Sequence, residues 1–230
     1  NTKDTIEDKA STNDGLYSPG SEGWHHGTVS GASQVAGPAG MGQAFDFDGV
    51  DDYIEVPHSP AFDTTNQITI EAWVNMGPSA AESHSIILNN ADPGFAYEIG
   101  IPNIPIAGPD GSIAQYNFMW YIGHLSGLPN HGFGWKDGGF SIPLNSWPHV
   151  AVTYDGSKVR TYKNGAQILE YTATGNIDLT TENLRIGSRG QPGPALAPFD
   201  GKIDEVRIYR TALTQTQIND DKNSRYPIMP

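Results

Sequence analysis

Apolar positions recur at every second residue through most of the chain, in short runs closed by Gly, Pro, Asn or Asp, and the i, i+3, i+4 spacing of a helix is almost absent. In 67–74, Ile68, Ile70, Ala72 and Val74 fall on one face and Thr69, Glu71 and Trp73 on the other, as a half-buried strand requires. The same alternation predicts strands at 45–47, 53–56, 85–88, 95–101, 114–122, 149–154, 158–163, 167–172, 184–186 and 202–209, about eleven in all. Lys163-Asn164-Gly165-Ala166 sets Asn-Gly between two alternating runs, and both central positions of such a turn need positive φ, so a tight hairpin is expected. Asp155-Gly156 predicts another turn just before it, joining three consecutive strands into an antiparallel meander. The one helix expected covers 214–219, where Thr214 and Gln217 have capping-box spacing ahead of Ile218. Strands without intervening helices exclude a parallel α/β sheet, and the lack of a repeat of roughly 20 to 50 residues excludes a propeller. What remains is an all-β fold, a two-sheet antiparallel jelly-roll sandwich.

Composition narrows this further. With 230 residues the chain is read as one domain, 1–230, whose polar, turn-rich start (1–20) and aperiodic end (222–230) are arms or linkers. Lys and Arg number 13 against 26 Asp and Glu, and the net charge of −13 repels phosphate backbones and anionic membranes, so nucleic acid is excluded as a partner while neutral glycans and cations are compatible. There is no cysteine, hence no disulfide framework, thiolate nucleophile or cysteine metal site. No apolar run reaches the length of about 18 residues that a membrane span needs. The start at Asn1, without Met or an apolar leader, leads us to expect a soluble, processed or excised piece.

Five phrases, in order, carry a resemblance. They are Ala44-Phe45-Asp46-Phe47-Asp48-Gly49-Val50-Asp51-Asp52-Tyr53-Ile54-Glu55-Val56-Pro57; Ile68-Thr69-Ile70-Glu71-Ala72-Trp73-Val74; Trp147-Pro148-His149-Val150-Ala151-Val152-Thr153-Tyr154-Asp155-Gly156; Tyr162-Lys163-Asn164-Gly165; and Phe199-Asp200-Gly201-Lys202-Ile203-Asp204-Glu205-Val206-Arg207-Ile208-Tyr209. Together they resemble the laminin-G-like jelly rolls of the concanavalin A-like lectin/glucanase superfamily, over residues from about Gly23 to Ile218. The resemblance implies two curved antiparallel sheets and an extracellular setting, as one module of a larger secreted or surface bacterial protein. The family opens with an apolar strand, whereas 1–18 is nearly all polar, so that first strand is expected to be degenerate or missing. A fold of this kind hosts many functions and names no ligand.

Period two in 202–209 places Asp204 on the face of Val206 and Ile208, and a carboxylate on the core side needs a partner. Resemblance to the β-glucanases of the superfamily implies a structural calcium held by Asp204 and the carbonyl of Gly49, with a third ligand in the N-terminal segment where the similarity stops. The plain alternative is that Asp204 accepts backbone N–H groups. The acidic run Asp46, Asp48, Asp51, Asp52 and Glu55 is a weaker metal candidate, since it lacks the spacing of a calcium hand and reads as a turn with solvated carboxylates. His25-His26 lacks a third ligand at fixed spacing, and His149 reads as a core histidine.

The Glu-x-Asp-x-Glu strand of retaining glycosidases is absent: Asp46 and Asp48 are followed in phase by Val50. Tyr121, His124, Gln115 and Arg189 are the types a jelly-roll lyase uses, without its motifs, so an enzyme is not supported. The segment from Phe95 to Phe140, by contrast, is crowded with rings, more than one core strand can bury. In 115–122, Tyr116, Phe118, Trp120 and Ile122 are expected to face the core, and Gln115, Asn117, Met119 and Tyr121 the outside. Exposed rings offer sugar C–H faces a flat platform, with polar side chains supplying hydrogen bonds to hydroxyls. The carbohydrate-binding candidates are Tyr97, Tyr121, His124, His131 and Trp135, with Arg189 at the rim from the 187–198 loop. The functional expectation is an extracellular, non-catalytic carbohydrate-binding module with a structural calcium. The alternatives are an adhesion or protein-interaction module and a divergent hydrolase or lyase.

Overall fold

The computed structural model describes residues 4–7, 14–18, 23–78, 85–90, 96–101, 105–107, 113–128, 135–189 and 196–224. Its strands begin with β1 (Asp4–Glu7), β2 (Asp14–Ser18), β3 (Gly23–Ser30), β4 (Ser33–Ala36), β5 (Gln43–Asp48) and β6 (Tyr53–Val56). They continue with β7 (Ile68–Met76), β8 (Ser85–Asn90), β9 (Tyr97–Ile101), β10 (Pro105–Ala107), β11 (Ile113–Ile122) and β12 (Lys136–Pro143). The last are β13 (His149–Tyr154), β14 (Lys158–Lys163), β15 (Ala166–Thr172), β16 (Leu184–Ile186) and β17 (Asp200–Tyr209), followed by helix α1 (Gln215–Lys222).

All the pairings between these strands are antiparallel. One sheet runs β4, β5, β17, β7, β13, β14, β15, with β1 beside the second half of β17 and β2 and β3 continuing outward from it. The other runs β3, β6, β16, β8, β9, β11, β12, with β10 beside the start of β11. Strand β3 turns the corner, pairing with β2 through its first half and with β6 through its second. This is the expected two-sheet jelly roll. Each expected strand is present, and Asn164 and Gly165 both have positive φ (52° and 79°), as the hairpin between β14 and β15 demands.

The inward faces meet in one core that includes Phe47, Ile70, Val74, Leu88, Ile99, Trp120, Val152, Leu184 and Ile208. Burying each such side chain contributes roughly 1.5–3 kcal/mol. Phe118 and Trp120 lie in that core, whereas Trp73 and Trp147 are only partly buried. Among the described residues no helix is long and apolar enough to cross a membrane.

Five features depart from the sequence expectation. The N-terminal segment is not an arm laid over the body: Asp4–Glu7 and Asp14–Ser18 are strands, because ladder hydrogen bonds are made by the backbone and a polar sequence can make them. Strand β12 is not predicted by alternation, because its sequence, Lys-Asp-Gly-Gly-Phe-Ser-Ile-Pro, carries two glycines and a proline. Thr69 and Glu71 are buried although they lie on the outer face of β7. The chain leaving β17 crosses that face, where the Thr69 hydroxyl donates to the Thr211 carbonyl (2.8 Å) and accepts the Leu213 N–H (2.9 Å). Helix α1 then runs beyond the predicted end at 219, because the buried Asp221 accepts the Tyr209 hydroxyl at 2.5 Å.

The last departure is a bulge in β17. Asp204 pairs with Trp73, but Arg207 pairs with Glu71, so three steps on one strand match two on the other, and Glu205 takes a positive φ of 48°. Val206 and Ile208 reach the core, while Asp204 falls in the row of Arg207 rather than on their face.

Candidate functional site

The outer face of the second sheet carries an unbroken cross-strand row. Register places Glu55 of β6 opposite Arg185 of β16, Arg185 opposite Asn89 of β8, Asn89 opposite Glu98 of β9, and Glu98 opposite Tyr121 of β11. Directly opposed residues of antiparallel strands point to the same face, so these five side chains stand in line. Trp135 extends the line, one position before Lys136, which pairs with Trp120. Its ring packs with Met119, Tyr121 and Ala197.

Charges alternate along the row and are matched. Arg185 donates to Glu55 at 2.9 Å and lies 4.1 Å from the centre of the Tyr53 ring. Glu98, only 1% exposed, is gripped by both arms of Arg189, which donate to its two oxygens at 2.9 and 2.5 Å. The Arg189 guanidinium also lies 5.8 Å from the centre of the Trp135 ring, and its backbone carbonyl accepts from Arg185 at 3.4 Å. Burial, then the nearby carboxylates of Asp178 and Glu98, push the Tyr121 hydroxyl above its ordinary pKa, so it stays a neutral donor.

Past Tyr121 the surface opens. The turn after β11 presents His124, whose side chain is 82% exposed and whose Nδ1 lies 2.5 Å from Oδ1 of Asp178. Of the residues singled out from sequence, Tyr121, Trp135 and Arg189 are therefore brought together, with His124 three residues beyond Tyr121, but Trp135 is not an exposed ring: it is 3% exposed and buried against Met119, Tyr121 and Ala197. Tyr97 is not among them. Its ring is 1% exposed and packed in the core, with its hydroxyl donating to the Phe62 carbonyl, because residue 97 has the opposite strand parity to Glu98. His131 lies outside the described residues, as do Phe95 and Phe133. Nothing in the sequence marks Glu98, Arg185 and Asp178, whose partners lie far from them along the chain.

Gly49 and Asp204, the expected calcium pair, are kept apart by strand register. Asp48 pairs with Asp200, so Gly49 sits at the far end of β17 from Asp204, more than four residues or roughly 13 Å along a strand. The bulge and this register together undo the alignment read from alternation. Near Gly49 there is a different donor set: Asp48, Asp51 and Asp52 have carboxylate oxygens within 4.8 Å of one another. Asp52 is buried and accepts the Asp48 N–H at 2.9 Å. Burial raises its pKa, the Asp48 N–H opposes this, and the neighbouring carboxylates of Asp48, Asp51 and Asp46 raise it further. An all-oxygen group of this kind suits a hard divalent cation.

In β9 the residue two beyond Glu98 is Gly100, so the strand carries one carboxylate on this face, and that one is engaged by Arg189.

Known proteins agree with this architecture. Domain 4 of AbnA, a GH43 extracellular arabinanase from Geobacillus stearothermophilus solved in complex with arabinotriose, is 23% identical, with a TM-score of 0.58 over 85% of this chain and 87% of that one. The binding domain of Paraclostridial Mosquitocidal Protein 1 is 15% identical (TM-score 0.62; 95% of this chain, 50% of that one). The binding domain of Botulinum Neurotoxin DC in complex with SialylT is 12% identical (TM-score 0.58; 95% and 50%). The chain thus spans about half the length of the two toxin domains, and at these identities the likeness is one of fold. No curated protein matches in sequence. The laminin G-like family model described as the concanavalin A-like lectin/glucanases superfamily matches residues 48–219, which is most of the chain, and the protein belongs to that superfamily.

Proposed function

We propose that this chain is a non-catalytic carbohydrate-binding module of a larger secreted or cell-surface protein, and that neutral oligosaccharide or polysaccharide lies across Tyr121 and Arg189, with the buried Trp135 ring supporting them from below and His124 at the rim. The observation that carries the reading is the cross-strand row ending on two adjacent rings, with Arg189 held beside them by Glu98. A partly open ring flanked by a fixed donor matches the alternation of apolar C–H faces and hydroxyls on a sugar. The arabinanase domain solved with arabinotriose supports the class of ligand, and the net charge of −13 favours neutral over anionic sugars. Titration of the protein with arabinotriose, xylotriose, cellotriose and a sialylated trisaccharide tests it. Weak binding of a neutral sugar, lost in Arg189→Gln, is expected; no binding, or binding indifferent to Arg189→Gln, overturns the site.

The same reading includes a structural calcium, at Asp48, Asp51 and Asp52 in the turn that contains Gly49. An ion that binds only the folded chain adds about 2.7 kcal/mol of stability at about a hundredfold excess over Kd. Calcium is expected to raise the melting temperature in wild type and in Asp204→Ala but not in Asp51→Ala. The reverse pattern returns the ion to Asp204, and no response to calcium or chelator removes it.

A further inference from the structure

Asn164-Gly165 is the one place in the chain where asparagine precedes glycine; every other asparagine is followed by a residue with a side chain. The pair matters chemically because asparagine is a thermolabile residue, and a glycine nitrogen, with no Cβ beside it, is the least hindered backbone nucleophile the carboxamide can meet. The same two residues form the turn between β14 and β15, closed by the pairing of Lys163 with Ala166. Asn164 is exposed, so water reaches its side chain. Three ties hold this dipeptide in place. Towards β13, the Asn164 N–H donates to the His149 carbonyl at 2.8 Å, and Oδ1 of Asn164 accepts the His149 N–H at 2.9 Å, which fixes the carboxamide. Within the hairpin, φ values of +52° and +79° keep both residues in the left-handed region. Over the glycine lies α1. Gly165 is buried, its carbonyl accepts from Nδ2 of Asn219 at 3.2 Å, and a Cβ on it would collide with the Asn219 carboxamide and the Lys222 side chain.

The helix is a light cover. Of its eight residues Ile218 and Asp221 are buried, and the rest of its sequence is polar. An element with so few buried apolar contacts opens at a lower free energy than the sheet beneath it. We propose that Asn164 is a site of self-modification, deamidating through attack by the Gly165 nitrogen, and that α1 seated on Gly165 sets the rate. In this step the Gly165 backbone nitrogen bonds to Cγ of Asn164 and gives up its proton to hydroxide. The carboxamide nitrogen takes a proton from water and leaves as ammonia, and a five-membered succinimide remains. Water then opens the ring at either carbonyl, giving aspartate or iso-aspartate at position 164. The net exchange is one water taken up for one ammonia released, with no change of oxidation state. Aspartate keeps an oxygen for the His149 N–H, whereas iso-aspartate adds a main-chain carbon to a two-residue turn whose register is fixed. The site is independent of whatever the second sheet binds.

The test follows the whole chain in mildly alkaline buffer at body temperature by peptide mass spectrometry, reading the Asn-to-Asp mass change at position 164. Wild type is incubated folded and unfolded in guanidinium chloride, beside folded Asn219→Ala and Asn164→Gly. Conversion should be at least about tenfold slower in folded than in unfolded wild type, because the turn must open first. Folded Asn219→Ala should convert about fivefold faster than folded wild type, the size of one hydrogen bond lost from the closed state, with an unchanged circular dichroism spectrum. Asn164→Gly keeps a residue suited to positive φ and should show no mass change in this peptide. Equal folded rates in wild type and Asn219→Ala, including no conversion in either, would assign the protection to the turn itself and overturn gating by α1. A folded wild type that converts as fast as the unfolded chain would overturn protection of any kind. No conversion at position 164 in the unfolded chain would remove the site.

Discussion

The two outer faces of the sandwich each carry a buried Arg–Glu contact, and they have been closed in different ways. On the first sheet Arg207 and Glu71, both fully buried, are sealed by the chain's own C-terminus. Arg207 donates to Glu71 at 3.3 Å, to the Asp221 carbonyl at 2.7 Å and to the Ser224 carbonyl at 2.9 Å, and also to the Glu205 carboxylate. On the second sheet Arg189 closes over Glu98 but remains 21% exposed, beside the buried Trp135 ring and the partly buried Tyr121 that packs on it. The same chemistry thus serves as an internal latch where a helix covers it and stays partly open at Arg189, where the proposed site lies. Burial of the carboxylate alone does not separate the two pairs; what lies over the arginine does.

Breaking each pair should separate them most sharply. Arg207→Met leaves Glu71 charged and enclosed and two carbonyls unanswered, a loss of about 3–5 kcal/mol. Arg189→Met leaves Glu98 with a route to water, a loss of about 1–3 kcal/mol. Denaturant unfolding of both variants measures the difference, and a larger loss at Arg189 would reverse the assignment of latch and site.

A smaller and graded effect comes from His149, fully buried beside Glu71 at 3.7 Å. Burial, with Arg207 and Lys222 adding to it, pushes its pKa down to about 3. The folded chain therefore holds the ring neutral while the unfolded chain takes up a proton near pH 6.5. Stability contributed by the neutral ring is complete above that value and declines as pH falls from about 6.5 toward about 3, at up to about 1.4 kcal/mol per pH unit. Between about pH 6 and about pH 4.5, above the range of ordinary carboxylates, His149→Gln should flatten the decline. An unchanged slope in that variant would show that the latch does not keep its histidine neutral.

How far the sequence reached follows the same division. Strands whose apolar residues alternate were legible, because the period of two is written into each run: Ile68, Ile70, Ala72 and Val74 are all fully buried. The N-terminal strands were not, since their pairing is a matter of backbone. Tyr121 and Arg189 stand out because a ring and a guanidinium in a loop-rich region are surplus to one core, whereas Trp135, expected to be surplus too, is buried in a small cluster of its own with Met119. Glu98 does not stand out, because its partner lies 91 residues away and only the register of β16, β8 and β9 brings them together. The placement of Asp204 failed for a local reason: one bulge shifts the phase of every residue beyond it, and no residue type in Asp204-Glu205-Val206 announces a bulge.

The smallest expected effect on stability is at the open end of the row. Tyr121 is partly exposed and packs on Trp135 and Met119 without belonging to the main core. Tyr121→Ala should therefore cost no more than about 1 kcal/mol of folding stability. For a bound sugar the same ring is a large part of the platform, and removing an aromatic face is worth about 1 kcal/mol, or about fivefold in affinity. Tyr121→Phe keeps the face and drops only the neutral hydroxyl, so it should retain most of the binding. Calorimetric titration with a neutral trisaccharide, paired with thermal unfolding, distinguishes the outcomes. Full affinity in the alanine variant would place the ligand away from the row, whereas a destabilisation as large as that of Arg207→Met would make Tyr121 part of a second latch.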